Sequence, residues 1–307
     1  MKVLNLGSLN IDKTYEVEKI ARPKETIKAI DYIESCGGKG LNQSIAMAKA
    51  GIPVFHAGMV GTDGMILIGA LKKAGVIVDY IKEMVSPSGH AIIQVDNEGQ
   101  NCIIICGGAN DMVDTDYIDA VFEKFSAGDF LILQNEISNI EYAIERAAEK
   151  NMKIVFNPSP FNSKIKGYDL GKINYFMINE IEAELLADLD SSKINEIIDI
   201  LKAKYSESAF VLTMGDEGAY YFDREKLIYQ EAYKVNTIDT TGAGDTFCGF
   251  FVSGLLKGYD INLNLKMSSA AAAISVSRKG ASNSIPVFGE VEEFLKKNDP
   301  YYQGQLI

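Results

Sequence analysis

Asp239-Thr-Thr-Gly-Ala-Gly-Asp245-Thr-Phe-Cys-Gly-Phe-Phe251 is the stretch from which the rest of the chain is read. Gly242, Ala243 and Gly244 leave the backbone free to turn tightly with its amides uncovered, and an apolar, helix-compatible run follows at once. That places amide donors at a helix N-terminus, where unpaired N–H groups and the positive end of the dipole can hold the charge of a phosphoryl group in transfer. Asp245 then stands beside an anion site. A carboxylate is electrostatically out of place there unless it takes a proton from an arriving hydroxyl, as a general base does. The competing reading is that Asp245 only favours the helix dipole, as first-turn acids often do.

Outward from this motif the chain alternates strands and helices, the pattern of a parallel sheet with right-handed crossovers. Strands are expected over 2–8, 54–60, 80–85, 130–134, 153–157, 175–178, 209–214, 219–222 and 231–235. Helices are expected over 43–49, from 64 to about 75, and over 114–125, 140–150, 180–187, 192–204, 246–256 and 263–277. Two other regions break the pattern. Residues 13–34, with 26–33 alternating, and the runs 90–96 and 101–106 around a turn at Gly99 read as strands solvated on one face. They suggest a small separate sheet, a lid over about 13–35 and 88–107, on one α/β domain spanning 1–307 with no linker or repeat.

In parallel α/β sheets ligands gather at the C-terminal ends of the strands, and polar groups recur there. Asn10 and Asp12, at i and i+2 of an extended chain, point the same way, as a clamp on sugar hydroxyls requires; turn chemistry is the alternative. Cys36-Gly-Gly-Lys-Gly-Leu-Asn42 brings Lys39 and Asn42 close to a helix start, but no Ser or Thr follows the lysine, so it is not a Walker loop. Glu136, Asn157 and the run Thr213-Met-Gly-Asp-Glu-Gly218 fall at other strand ends. Asn179 and Glu182 suit indirect magnesium ligation near phosphates, or equally a helix-capping box.

Composition narrows the partners. The 307 residues are 47% apolar and 23% charged, as in a soluble globular protein, and 30 basic against 42 acidic residues leave a net charge of −12. Nucleic acid and anionic membrane are therefore poor partners, and no apolar run reaches the roughly 18 residues of a membrane span. Cys36, Cys102, Cys106 and Cys248 form no CxxC pair, which fits reduced thiols in the cytoplasm, with Cys102 and Cys106 expected to pack in apolar surroundings. Two histidines, His56 and His90, exclude a three-histidine zinc site, and His56 reads as a core or edge residue. A nicotinamide oxidoreductase would need a GxGxxG after the first strand, which is missing.

Gly37-Gly-Lys-Gly-Leu-Asn42 and Asp239-Thr-Thr-Gly-Ala-Gly-Asp245 together resemble the two signatures of the PfkB family of carbohydrate kinases, whose fold is ribokinase-like. Gly7-Ser-Leu-Asn-Ile-Asp12, Asn157-Pro158, Asn179-Glu-Ile-Glu182 and Arg278-Lys-Gly-Ala281 extend the resemblance over nearly the whole chain. It implies ATP-dependent phosphorylation of the primary hydroxyl of a sugar, D-ribose first, with another sugar, a sugar acid or a nucleoside as alternatives. A catalytically silent sugar-binding or regulatory protein on the same fold is the rival from outside the enzymes. By resemblance Asp245 is the base, and Gly242, Ala243 and Gly244 form the anion hole. Asn10, Asp12, Gly38, Lys39, Gly40, Asn42 and Glu136 hold the sugar. ATP lies along Asn179, Thr213, Gly215, Asp216, Gly218, Gly244 and Ser269. Asn179 and Glu182 organise Mg²⁺, and Asp239, Thr241, Ser275, Arg278, Gly280 and Ser284 surround a monovalent cation, K⁺. Lid strands pairing between subunits imply a homodimer. His90 in the lid departs from the family pattern, as does Ser269 in place of a larger polar residue, while Asn110 is kept.

Overall fold

β1 (Val3–Leu6) is buried on both faces, and its side chains alternate between two apolar cores. Val3 enters one, Leu4 and Leu6 the other, which is what a strand between two helical layers requires. The computed structural model, which describes residues 1–189, 193–302 and 304, puts β1 third from one edge of a nine-stranded sheet.

On one side of β1 lie β4 (Phe55–Val60) and β5 (Ile77–Glu83). On the other, in order, lie β8 (Phe130–Gln134), β9 (Lys153–Asn157), β10 (Tyr175–Asn179), β11 (Ala209–Thr213), β12 (Gly218–Phe222) and β13 (Leu227–Glu231). All neighbours are parallel except the last two pairs, so eight of the nine strands run the same way and β12 alone runs opposite. One face is covered by α1 (Lys39–Lys49), α2 (Met65–Lys73), α7 (Ala243–Lys257), α8 (Ile261–Val276) and α9 (Phe288–Asn298). The other carries α3 (Thr115–Phe122), α4 (Ile140–Glu149), α5 (Glu180–Ala187) and α6 (Ile194–Lys204). There the rings of Phe176, Phe210 and Phe222 stack across three adjacent strands at 4.7 and 4.9 Å.

A second sheet has four strands in the order β3 (Asp31–Gly37), β2 (Asn10–Glu16), β6 (Gly89–Val95), β7 (Asn101–Cys106). β2 pairs parallel with β6 and antiparallel with β3, so Asn10 lies between Gly37 and Gly89 at the root of this sheet.

Several boundaries differ from expectation. β3 begins at Asp31, leaving the alternating residues from Thr26 in a loop, and the last strand falls at Leu227–Glu231 rather than 231–235 because it pairs back onto β12. α1 starts at Lys39, four residues early. Gly38 takes a φ of +92° as the N-cap, and a Cβ on Gly40 would come within 2.4 Å of the Ser8 nitrogen, so both glycines serve the turn and its packing. α9 was not expected at all, and the predicted helix start at Ser192 lies outside the described residues. Cys102 and Cys106 are exposed rather than packed, because β7 is the outer edge of its sheet with all six residues open. His56, by contrast, is fully buried in β4. Among the described residues no helix is long and apolar enough to cross a membrane.

Candidate active site

The two glycine-rich segments meet. Asp245 lies in the first turn of α7, only 6% exposed, and both of its carboxylate oxygens accept hydrogen bonds from α1: Oδ2 from Asn42 Nδ2 at 3.0 Å, Oδ1 from Gln43 Nε2 at 2.9 Å. The helices approach closely because α7 carries Gly249, where a Cβ would lie 2.4 Å from that of Ala46. The N-cap of α7 is Gly242 at φ +75°, and a Cβ there would sit 3.2 Å from Ala281. The main-chain N–H of Ala243 already donates to Thr240 O at 3.2 Å. Among the described residues those of Gly242, Gly244 and Asp245 have no main-chain acceptor, so Ala243 drops out of the expected Gly242–Gly244 set and Asp245 joins the open donors.

A cavity of about 250 Å³ opens at this helix start, lined among others by Lys39, Asn179, Glu182, Thr213, Gly244 and Asp245. Burial acts to lower the pKa of Lys39, but the negative charges of Asp245, Glu136 and Glu182 outweigh it and hold the ammonium above its ordinary value. Asn179 and Glu182 do form a capping box at the start of α5: Asn179 Oδ1 accepts from Glu182 N at 2.9 Å, and Glu182 Oε2 from Asn179 N at 3.0 Å. Both readings of that pair therefore survive, since the capped carboxylate also borders the cavity. Burial raises the pKa of Glu182. Among the described residues no group of three acidic, His or Cys side chains could hold a metal by itself.

A second cavity, of about 530 Å³, shares Thr213, Thr240 and Gly244 with the first. Gly215, Asp216, Gly218 and Ser269 also line it, with apolar walls from Phe247, Ala272 and Val276. The buried Ser269 Oγ has no hydrogen-bond partner among the protein atoms, which suits a ligand with polar edges and a flat apolar body.

The third group lies between the two sheets. Asn10 and Glu136 border a groove of about 1080 Å³. Glu136 Oε2 accepts from Ser8 Oγ and from the Lys39 N–H at 2.9 Å, and Gly40 N donates to Ser8 Oγ at 3.2 Å, so the Ser8 and Gly38 turns lock together. Burial and then the neighbouring Glu136 push Asp12 up to about 6; burial also raises Glu136, against the pull of Lys39. Gly37 makes room for Asp12, whose Oδ2 a Cβ would meet at 1.9 Å. Asn110 Nδ2 donates to Asn10 Oδ1 at 2.7 Å and thereby sets which way Asn10 faces.

Beyond the helix start, Asp239 organises a loop. Its Oδ1 accepts from the N–H of Thr241 (2.9 Å) and from its hydroxyl (2.6 Å), its Oδ2 from Gly280 N (2.9 Å), while Ser275 and Ser284 share a hydroxyl contact of 2.7 Å. Arg278 turns its guanidinium to Glu290, so only main-chain oxygen from this residue could face a cation. Lys39, Asn179, Glu182, Thr213, Gly244 and Asp245 thus share one cavity, whereas Asp12, Gly38, Gly40 and Asn42 line none of the three; Ser8, Gln43, Asn5 and Gln134 join the hydrogen-bond network without having been singled out, their signal being polar residues inside apolar runs.

Residues 1–287 match the family described as pfkB family carbohydrate kinase. The chain belongs to the PfkB family of carbohydrate kinases. This PfkB chain is 37% identical to the ribokinase of Staphylococcus aureus (strain COL) over 305 residues, covering 95% of this chain and 99% of the relative. It is 34% identical to the ribokinase of Schizosaccharomyces pombe, over 97% and 99% of the two chains. The structure of Arabidopsis thaliana ribokinase complexed with ribose and ATP superimposes with a TM-score of 0.85 at 28% identity, covering 96% of this chain and 98% of that one. As a PfkB kinase the chain is an ATP-dependent phosphotransferase with an alcohol acceptor.

Proposed function

We propose that this kinase transfers the γ-phosphoryl group of ATP to the primary hydroxyl of D-ribose, giving ribose 5-phosphate. The observation that carries the reading is the position of Asp245, oriented by Asn42 and Gln43, at the start of α7, where the phosphate-sized and nucleotide-sized cavities join. The sugar is ribose because the relatives at 37% and 34% identity are ribokinases and the similar structure from Arabidopsis thaliana is described with ribose and ATP.

In this reading Asn10, Asp12, Gly38, Lys39, Gly40, Asn42 and Glu136 bind the sugar. Asn42 Oδ1, buried without a hydrogen-bond partner among the described residues, suits a hydroxyl donor from the sugar. Asp245 takes the proton of the primary hydroxyl as its oxygen bonds to the γ-phosphorus. The bond from that phosphorus to the β,γ-bridging oxygen breaks, and ADP leaves with the electron pair. The open amides of Gly242, Gly244 and Asp245, with Lys39, offset the charge on the group in flight. Residues along Asn179, Thr213, Gly215, Asp216, Gly218 and Ser269 hold ATP. Asn179 and Glu182 fit magnesium bound through phosphate and water, an ion that neutralises phosphate charge when present. Asp239, Thr241, Ser275, Gly280, Ser284 and the main chain of Arg278 fit K⁺, which would order the loop carrying the amides. The four-stranded sheet acts as a lid and pairs with that of a second copy. Four unpaired thiols suit a reducing, cytoplasmic setting.

The test is ATP-dependent phosphorylation, with Mg²⁺ and K⁺, of ribose, deoxyribose, fructose, a keto-deoxy sugar acid and adenosine. Preference for ribose is expected. Preference for another acceptor moves the specificity to the lid, where His90 departs from the family, and no turnover with any leaves a silent binder.

A further inference from the structure

An amide side chain can present either its NH₂ or its oxygen to a neighbour, and the two differ little until something outside chooses. Asp245 depends on that choice, because Gln43 is one of the two groups that orient it. We propose that Gln43, Gln134 and Asn5 form a positioning relay with a single consistent hydrogen-bond polarity, anchored on the Gly40 carbonyl and ending on the Asp245 carboxylate. The proposal rests on Asp245 being the base.

Both ends of the relay accept only. At one end Asn5 Nδ2 donates to Gly40 O and to Ser44 Oγ, each at 2.8 Å, so Asn5 Oδ1 must face the other way. At the far end Gln43 Nε2 donates to Asp245 Oδ1, so Gln43 Oε1 must face back. Gln134 stands between two oxygens and turns its NH₂ to both, reaching Asn5 Oδ1 at 3.0 Å and Gln43 Oε1 at 2.8 Å. Its own oxygen has no hydrogen-bond partner among the described residues. Reversing any one amide sets oxygen against oxygen or NH₂ against NH₂. All three residues are buried, so no protein surface or bulk water relieves the mismatch.

A branch supports the same polarity. Burial drives His56 down to about 3, so the ring is neutral and Nδ1, 2.8 Å from Ser44 Oγ, can accept the serine proton. Ser44 oxygen is then free to accept from Asn5. The relay therefore runs from β4 and β1 through the end of β8 to α1 and then to the start of α7, and the central sheet sets the carboxylate's direction. Gln43, Gln134 and Asn5 touch no substrate in this scheme; they act through Asp245.

The test compares Gln134→Glu, Gln134→Met and Asp245→Asn in steady-state kinetics across pH, with thermal unfolding as a check on folding. In Gln134→Glu the ionised carboxylate has no proton to offer, so Gln43 is released to turn its oxygen toward Asp245. The expected result is a fall in kcat of about 10- to 10²-fold, the scale of a small misplacement at a reacting group, with KM for ATP and sugar within a few-fold of wild type. The loss deepens as pH rises, because the protonated carboxyl still donates, which gives an alkaline limb missing from the wild type. Gln134→Met, uncharged and similar in size, loses kcat without that limb, and it carries the test alone if the Glu variant does not fold. Wild-type kcat in a folded Gln134→Met, or a Gln134→Glu profile parallel to wild type, overturns the relay. If Asp245→Asn is inactive in that case, only the relay fails; normal turnover in Asp245→Asn removes the base itself.

Discussion

Asn42 and Asp245, 203 residues apart in the chain, are joined by a 3.0 Å hydrogen bond that ties α1 to the first turn of α7. The contact makes one site out of two glycine-rich turns. It also leaves Asn42 Oδ1 buried with no hydrogen-bond partner among the described residues.

Asp245→Asn keeps the shape of the side chain and removes the proton acceptor. We expect kcat to fall by about 10² to 10⁴, the range for losing a general base, while ATP still binds. Titration calorimetry with ATP analogue and steady-state rates check the two halves separately. Turnover close to wild type would take Asp245 out of the mechanism.

Gly242 holds a φ of +75°, where a Cβ is disfavoured by about 1–2 kcal/mol, and that Cβ would press on Ala281 at 3.2 Å. Gly242→Ala should lose about that much stability in a denaturant titration and lower kcat more than KM, since the distortion falls on the turn that presents the amides. Gly244→Ala meets no protein atom within 4 Å and serves as the comparison for the loss of stability alone, since Gly244 itself lines both cavities. Equal losses of stability from the two would mean that backbone conformation at Gly242 does not matter.

The succession of strands and helices along the chain and the two signatures were legible because they rest on local rules: apolar runs, glycines and strand-end polar residues. The start of α1 was not, since two glycines lower helix propensity while Gly40 is demanded by its contact with Ser8, 32 residues away. Asn5, Gln43 and Gln134 looked like ordinary polar residues in buried segments. Their meaning appears only when three separate elements bring their amides together. Cys102 and Cys106 misled for the opposite reason: β7 has the pattern of a packed strand and lies at an edge.

Burial and Glu136 place Asp12 at about 6. A carboxylate accepts two sugar hydroxyl bonds, and protonation removes acceptor capacity, so KM for ribose should rise as pH falls below 6 with a smaller change in kcat. Asp12→Asn should raise KM at pH 8 and abolish the acid rise. Stability runs the other way. Because ionisation is harder in the folded chain than in the unfolded one, Asp12 favours folding below the ordinary carboxylate value of 3.8 and that advantage is lost as pH rises through about 6. Asp12→Asn should therefore unfold at a higher temperature than wild type at pH 8 and at a similar one at pH 4. A higher melting temperature only at pH 4 would contradict the assignment.

The hydrogen bonds of Asp239 to Thr241 and Gly280 hold the two sides of a loop that leads into the Gly242 turn. A cation among the main-chain oxygens there would order the amides without touching the sugar. Replacing K⁺ by tetramethylammonium at constant ionic strength should lower kcat sharply and change KM for ribose little. Rates that do not respond to the exchange remove the cation from the site.

All six residues of β7 are exposed, and Ile103, Ile104 and Ile105 stand open at 52%, 59% and 61%. Consecutive residues of a strand point to opposite faces, so apolar surface is uncovered on both sides of an edge whose backbone groups are also unpaired outward. Such an edge invites association unless it is charged, short or twisted away, and the sequence Asn-Cys-Ile-Ile-Ile-Cys carries no charge. A second copy pairing its own small sheet would satisfy that edge and shield the apolar side chains beside it. Sedimentation at micromolar concentration should give a dimer, and Ile104→Lys should shift it to monomer. If the small sheet also covers the sugar, the monomeric variant should show a raised KM for ribose with an unchanged KM for ATP. A monomeric wild type at those concentrations rules the pairing out, and a dimer that survives Ile104→Lys puts the interface elsewhere.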